Sequence, residues 1–151
     1  MLSIIIKSIS SIFVSYFFGV MFNVRGKKII LAAIAGGVTW FVYDFTMYLG
    51  QSETIAYFIS AICLTVYAEV MARLSKATVT TFLIVGLIPT VPGGGIYYTL
   101  FHLLNKNTAK ATEVGLKTLM LTGALAFGIL FVSSIYSTYS KIKDIKLKQN
   151  K

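Results

Sequence analysis

Leu87-Ile88-Pro89-Thr90-Val91-Pro92-Gly93-Gly94-Gly95-Ile96-Tyr97-Tyr98 interrupts a long apolar stretch, and the reading of this segment decides the fold. Pro89 and Pro92 are the only two prolines in the chain, and three glycines follow at once. Proline removes a backbone donor and clashes with the preceding turn. Glycine adds backbone freedom and withholds side-chain cover. If the surrounding run lies in a bilayer, such an interruption survives only where protein buries it or where it lines a wet cavity.

The composition says that it does lie in a bilayer. The 151 residues are 56% hydrophobic and only 13% charged, with a mean hydropathy of +0.79. Soluble domains carry about a quarter charged residues. The charges here are also clustered, which leaves long uncharged runs. The expected fold is an all-α polytopic membrane protein of about five transmembrane helices, the fourth broken at the proline–glycine segment. We read residues 1–140 as a single transmembrane domain and 141–151 as a basic cytoplasmic tail, in a multi-pass protein of the cell membrane. The net charge of +9 comes from lysines and arginines between apolar runs. They read as cytoplasmic topology signals, and no nucleic-acid-binding motif accompanies them. Cys63 is the single cysteine, without companions at metal-ligand spacing.

The apolar segments run roughly over 2–22, 29–49, 54–71, 78–104 and 118–136. Each is near or above the ~20 residues that span about 30 Å of hydrocarbon. None shows the period-2 alternation of a barrel strand. Arg25, Lys27 and Lys28 lie between the first two segments, Arg73 and Lys76 between the third and fourth, and five lysines in the tail. The positive-inside rule places these connectors in the cytoplasm. The Gln51–Glu53 connector and the N-terminus then lie outside. A crossing fourth segment keeps the lysine-rich tail inside, whereas a re-entrant one would export it. Crossing has a cost, because Lys106, Lys110 and Lys117 then lie outside with Glu113. As straight helix, 78–104 would be about 40 Å long. Two half-helices, 79–88 and 96–104, with an unwound stretch near the midplane fit better. Ala32/Gly36, Ala33/Gly37 and Ala124/Gly128 are small-xxx-small pairs that let helices approach closely in lipid.

Several groups are candidates for chemistry. A half-helix starting at Pro92 or Gly93 would present the amides of Gly93, Gly94, Gly95 and Ile96, with its positive dipole end, to a carboxylate or phosphate. The carbonyls at the end of the preceding half-helix would suit an ammonium. The alternative is a plain kink without a ligand. Asp44 is the most isolated acid in an apolar run, and intramembrane acids often carry protons or pair with cations; its alternative is a wetted interface residue. Glu69 and Arg73 are spaced for an i,i+4 pair, with a proton or gating role as the alternative. Glu53 after Ser52 and Glu113 after Thr112 read as first-turn acids without chemistry. His102, the one histidine, reads as interfacial. Tyr97 and Tyr98 offer hydroxyls or simple packing. Discontinuous helices of this kind mark substrate sites in secondary transporters. No hydrolase, nucleotide-binding or metal motif is present, so we expect no enzyme, cofactor or metal site.

At this point the residues carry a resemblance. Gly-Val-Met-Phe-Asn-Val-Arg at 19–25, Ala-Glu-Val-Met-Ala-Arg at 68–73, Lys-Ala-Thr-Val-Thr-Thr-Phe-Leu-Ile at 76–84 and Ile-Pro-Thr-Val-Pro-Gly-Gly-Gly-Ile-Tyr at 88–97 resemble the threonine/serine exporter family (ThrE type). The likeness is to its small subunit, similar to the C-terminal half of full-length members, and covers roughly 15–140. It implies export of small amino acids or, in some two-subunit relatives, a dicarboxylate. It also implies a separate larger membrane subunit and an ion gradient as driving force. A second copy of the chain is a further possible partner. With it the substrate-contacting set becomes Pro89, Pro92, Gly93, Gly94, Gly95 and Tyr97, and the proton or gating set Asp44, Glu69 and Arg73. The competing reading is a structural subunit whose partner holds the whole pathway.

Overall fold

The computed structural model describes residues 1–149. Among these the chain is helical throughout: α1 (Leu2–Met21), α2 (Lys27–Tyr48), α3 (Glu53–Ser75), α4 (Val79–Leu87), a 3-10 turn (Ile88–Thr90), α5 (Gly93–Leu104) and α6 (Thr108–Gln149). Four helices are long and apolar enough to cross a membrane, namely α1, α2, α3 and the Thr108–Ser140 part of α6. The pair Val79–Thr90 and Gly93–Leu104, bent by 54°, makes a fifth when taken as one span. The sequence placed the last span at 118–136; its helix begins at Thr108 and runs on through the first nine residues of the basic tail. Asn150 and Lys151 of that tail lie outside the described residues.

The centre of the bundle is α2, which touches α1, α3, α4 and the 3-10 turn. It can do so because it carries almost no side-chain bulk at its contacts: Ala32, Ala33, Ala35, Gly36, Gly37 and Thr39 are all buried. In lipid, helices associate through packing at such small residues rather than by expelling water. A Cβ at Gly36 would run into the Ser15 hydroxyl of α1, and one at Gly37 into Ile12. These are the glycines of two of the three anticipated small-xxx-small pairs. Phe82 of α4 is fully buried against Ala32, Ala68 and Ala72, filling the groove that the alanines of α2 and α3 leave open.

Buried polar residues in these helices are mostly serines and threonines that satisfy themselves. Thr39, Thr46, Thr65 and Thr118 each donate a 2.7 Å hydrogen bond to the carbonyl four residues earlier. That local bond lets a hydroxyl sit in an apolar interior without an orphaned donor. Tyr67 instead reaches across to α2, donating to the Leu31 carbonyl at 2.9 Å.

The long helices α3 and α6 are parallel. Glu53, at the start of α3, meets Lys117 at 2.7 Å. Twenty residues further along α3, the Arg73 guanidinium sits 4.9 Å above the Tyr136 ring of α6. Between these contacts Tyr57 and Ala61 pack on Leu121, Ala124 and Leu125. The chain therefore leaves α3 at its Arg73 end and enters the α6 seam from the Glu53 end. The bent α4–α5 pair carries it back across the bundle.

Two expectations about helix ends change. The unwound stretch is shorter than foreseen, because α5 starts at Gly93 rather than Ile96. The 3-10 turn ends at Thr90 with Val91 as its cap, and Pro92 is already the N-cap of α5, a proline being tolerated at a helix start because it has no amide to leave unpaired. Glu113 is not a first-turn acid: α6 begins one and a half turns earlier, where the Asn107 side chain accepts from the Lys110 amide at 3.2 Å. Glu53 does lie in the first turn of its helix, capped by Ser52, whose hydroxyl accepts from the Ile55 amide at 3.4 Å.

Candidate functional site

The proline–glycine break forms one wall of a cavity of about 420 Å³. Pro89, Val91, Pro92 and Gly93–Gly95 line one side; Trp40 comes from α2, Glu53 and Tyr57 from α3, and Glu113, Lys117, Thr118 and Leu121 from α6. The volume falls within the ~300–1,000 Å³ typical of small-molecule sites. The break lies beside the middle of α2, with the Pro89 ring against Gly36. This agrees with a mid-bundle interruption.

The local backbone is tighter than a row of free amides. The Gly93 amide donates to the Val91 carbonyl at 2.7 Å, across an inverse γ-turn at Pro92 (φ −75°, ψ 57°). Gly95 and Ile96 both donate to the Pro92 carbonyl, at 3.1 and 3.3 Å. Of the four amides foreseen for an anion, three are thus engaged, and Gly94 is left to face a ligand. On the other side of the break the Leu87 carbonyl accepts from the Val91 amide at 3.2 Å and from the Thr90 hydroxyl at 2.9 Å. It is therefore already supplied with donors and is a weak cation ligand.

The three glycines differ in what surrounds them. No atom stands within 4 Å of a Cβ built at Gly93 or Gly94, whereas one at Gly95 would strike Thr118. Gly95 is a packing residue of the α5–α6 contact; Gly93 and Gly94 face open space. Tyr97 points elsewhere: it is 62% exposed, stacks on Phe101 with centroids 6.3 Å apart, and does not line the cavity.

The candidate proton and gating groups lie at two other places. Asp44 pairs with Lys7 of α1, its Oδ2 lying 3.2 Å from the ammonium. Trp40 and Pro89 separate this pair from the main cavity, since both also line a second space of about 410 Å³ that reaches Lys7, Ser10 and Ser11. Glu69 and Arg73 form the expected i,i+4 pair at 3.4 Å. They sit at the opposite end of α3 from Glu53, near Ser133, Tyr136 and Ser137. His102 is on α5, edge-on to Phe101 at 5.7 Å. Asp44, Glu69 and His102 thus belong to separate contacts and build no common site. Among the described residues no group of acids, histidine and cysteine could hold a metal ion.

Trp40, Glu53, Glu113 and Lys117 are the cavity residues that sequence reasoning missed. The buried Trp40 Nε1 has no hydrogen-bond partner among the described residues. Glu53 and Lys117 are 64 positions apart, yet the positive-inside argument had already put both on the same side of the membrane. That shared side was the available signal.

A family model described as Threonine/Serine exporter, ThrE matches residues 7–135. The chain belongs to the threonine/serine exporter family. The match begins within α1, ends within the membrane-spanning part of α6, and includes every helix between them and the break. The family is one of transporters rather than enzymes, and with the candidate spans it makes this a multi-pass protein of the cell membrane. No curated protein and no solved structure matches the chain.

Proposed function

We propose that this chain is a subunit of a secondary-active exporter of small amino acids of the threonine/serine kind, working with a separate larger membrane subunit. The observation that carries this reading is the cavity at Pro89–Gly95, which joins a helix break to charged groups of α3 and α6. The Gly94 amide and the positive end of α5 suit a carboxylate. Trp40 of α2 lines the same cavity, and its buried Nε1 has no hydrogen-bond partner among the described residues. Tyr97, which lies outside the cavity, drops out of the proposed contact set. The Lys7–Asp44 and Glu69–Arg73 pairs flank the route and serve as gating or proton-handling groups. Transport draws on an ion gradient, since the chain has no nucleotide-binding motif. The partner subunit rests on the family resemblance; α5 packs mainly on α6 and exposes Ile96, Leu100, Phe101 and Leu104, a face that either the partner or lipid would cover.

Gly94→Leu tests the site. The structure has room for the side chain, so the variant accumulates in the membrane, but the leucine fills the cavity. We expect efflux of threonine from dipeptide-loaded cells to be abolished. Efflux at the wild-type rate would sink the assignment. The competing structural-subunit reading is met by Gly94→Cys in a Cys63→Ser background, crosslinked to a thiol-reactive threonine analogue. Labelling that free threonine fails to compete away would favour that reading.

A further inference from the structure

The charged side of the cavity has a composition that the proposed transport reading does not by itself explain. Glu53 and Glu113 bring two carboxylates, and Lys117 one ammonium. Glu113 and Lys117 are one turn apart on α6, a spacing at which a Glu–Lys pair forms readily. Lys117 instead reaches across to Glu53 of α3, at 2.7 Å. Among the described residues Glu113 has no ion-pair partner. The lining therefore carries net negative charge where α3 and α6 meet, while its neutral donor, the Gly94 amide, lies on the α5 side. A molecule with a carboxylate and an ammonium on the same carbon matches this polarity, and a dicarboxylate does not.

The Glu53–Lys117 contact is also of a kind that exchanges easily. The lysine side chain is 67% exposed and the glutamate 32%. Ion pairs in such solvated positions contribute little, because both partners are nearly as well served by water. Replacing one ammonium by another on the same carboxylate conserves the charge balance.

We propose that Glu53 is the acceptor for the α-ammonium of the substrate, and that Lys117 occupies that position as a tethered stand-in until substrate displaces it. Glu53 is then a specificity-determining residue and Lys117 an internal competitor. Glu113, one turn away on α6, receives the displaced lysine. This inference rests on the transport reading above. It differs from a plain clamp, in which the pair merely ties α3 to α6.

The test is threonine uptake into energised inside-out vesicles, from cells carrying the chain with its native neighbours and normalised to the amount of protein in the membrane. Glu53→Gln should raise the apparent KM for threonine about ten-fold or more, as for loss of a charge-assisted hydrogen bond. Glu53→Asp keeps the charge and should raise it less. It also supplies the measurement if the glutamine variant fails to accumulate. Lys117→Met should lower the KM, because the competitor is gone. In the swap Glu53→Lys with Lys117→Glu, the pair re-forms but the carboxylate sits on the wrong helix, and the KM should stay high. The proposal is overturned if the swap restores wild-type KM, if Lys117→Met leaves the KM unchanged or raises it, or if Glu53→Gln has no effect. A dead Gly94→Leu beside any of those outcomes would sink this inference alone; an active one would sink the transport site with it.

Discussion

Gly94 and Gly95 are adjacent in sequence and opposite in role. A Cβ at Gly95 would meet the Thr118 side chain of α6, while Gly93 and Gly94 have nothing within 4 Å. Gly95→Ala should therefore destabilise the protein by roughly 1–3 kcal/mol through overpacking. Gly93→Ala, in the first turn of α5 and with no left-handed φ to satisfy, should be neutral or stabilising by up to about 1 kcal/mol. Thermal unfolding of the detergent-purified chain measures both; equal shifts would contradict the division. The sequence pointed to this tripeptide, because three glycines directly behind the only two prolines must interrupt a helix in an apolar run. It could not say which glycine packs, since that depends on Thr118, twenty-three positions away. For the same reason it left Asp44 isolated. Its counter-charge, Lys7, becomes a neighbour only when Ser15 and Ile12 of α1 seat on Gly36 and Gly37 of α2.

Helix positions were legible wherever apolarity itself marked the span, and ends were not. Helix α6 shows why. Residues 108–117 include Lys110, Glu113 and Lys117, so they read as connector. A helix needs backbone hydrogen bonds, not apolar side chains, and it continues through them as the outer partner of α5. Its seam is regular: Ala111, Thr118, Leu121, Ala124, Leu125, Gly128 and Val132 are buried, and from Thr118 onward, with Ala124 beside Leu125, the spacing alternates between three and four. That is the pattern of helices meeting at a shallow angle. At Gly128 α6 lies directly against α3, a Cβ there falling 2.8 Å from both the Ala61 Cβ and the Phe58 carbonyl. Backbone cannot yield as a flexible side chain can. Gly128→Leu should force the two helices apart and destabilise the chain by 1–3 kcal/mol or more, about as overpacked cores do. It should also lengthen the Glu53–Lys117 contact and thereby alter threonine KM. A variant with unchanged melting temperature and KM would show that the seam does not hold the cavity wall.

The parallel run of α3 and α6 favours a fourth segment that crosses the membrane. Contacts at Glu53–Lys117 and Arg73–Tyr136 put the start of α6 on the same side as the start of α3. A re-entrant 78–104 segment would have put it on the Arg73 side. Combined with the positive-inside rule, this predicts outward-facing turns at Gln51 and Asn107 and inward-facing turns at Arg25 and Lys76. The arrangement leaves Lys106 and Lys110 outside, against the simple charge bias. From Lys117 to Thr108 the helix continues nine residues, about 13 Å, beyond its contact with Glu53. These lysines can then stand at or beyond the headgroups rather than in hydrocarbon, which removes most of the cost. Single cysteines at these four turns, in a Cys63→Ser background, test the threading with a membrane-impermeant thiol reagent. Gln51→Cys and Asn107→Cys should label in intact cells, and Arg25→Cys and Lys76→Cys only after the membrane is opened. Asn107→Cys decides between the two topologies: if it stays unlabelled in intact cells while Gln51→Cys reacts, the broken segment returns to the cytoplasmic face. The cavity would then lie on the wrong side of the bundle to receive Glu53.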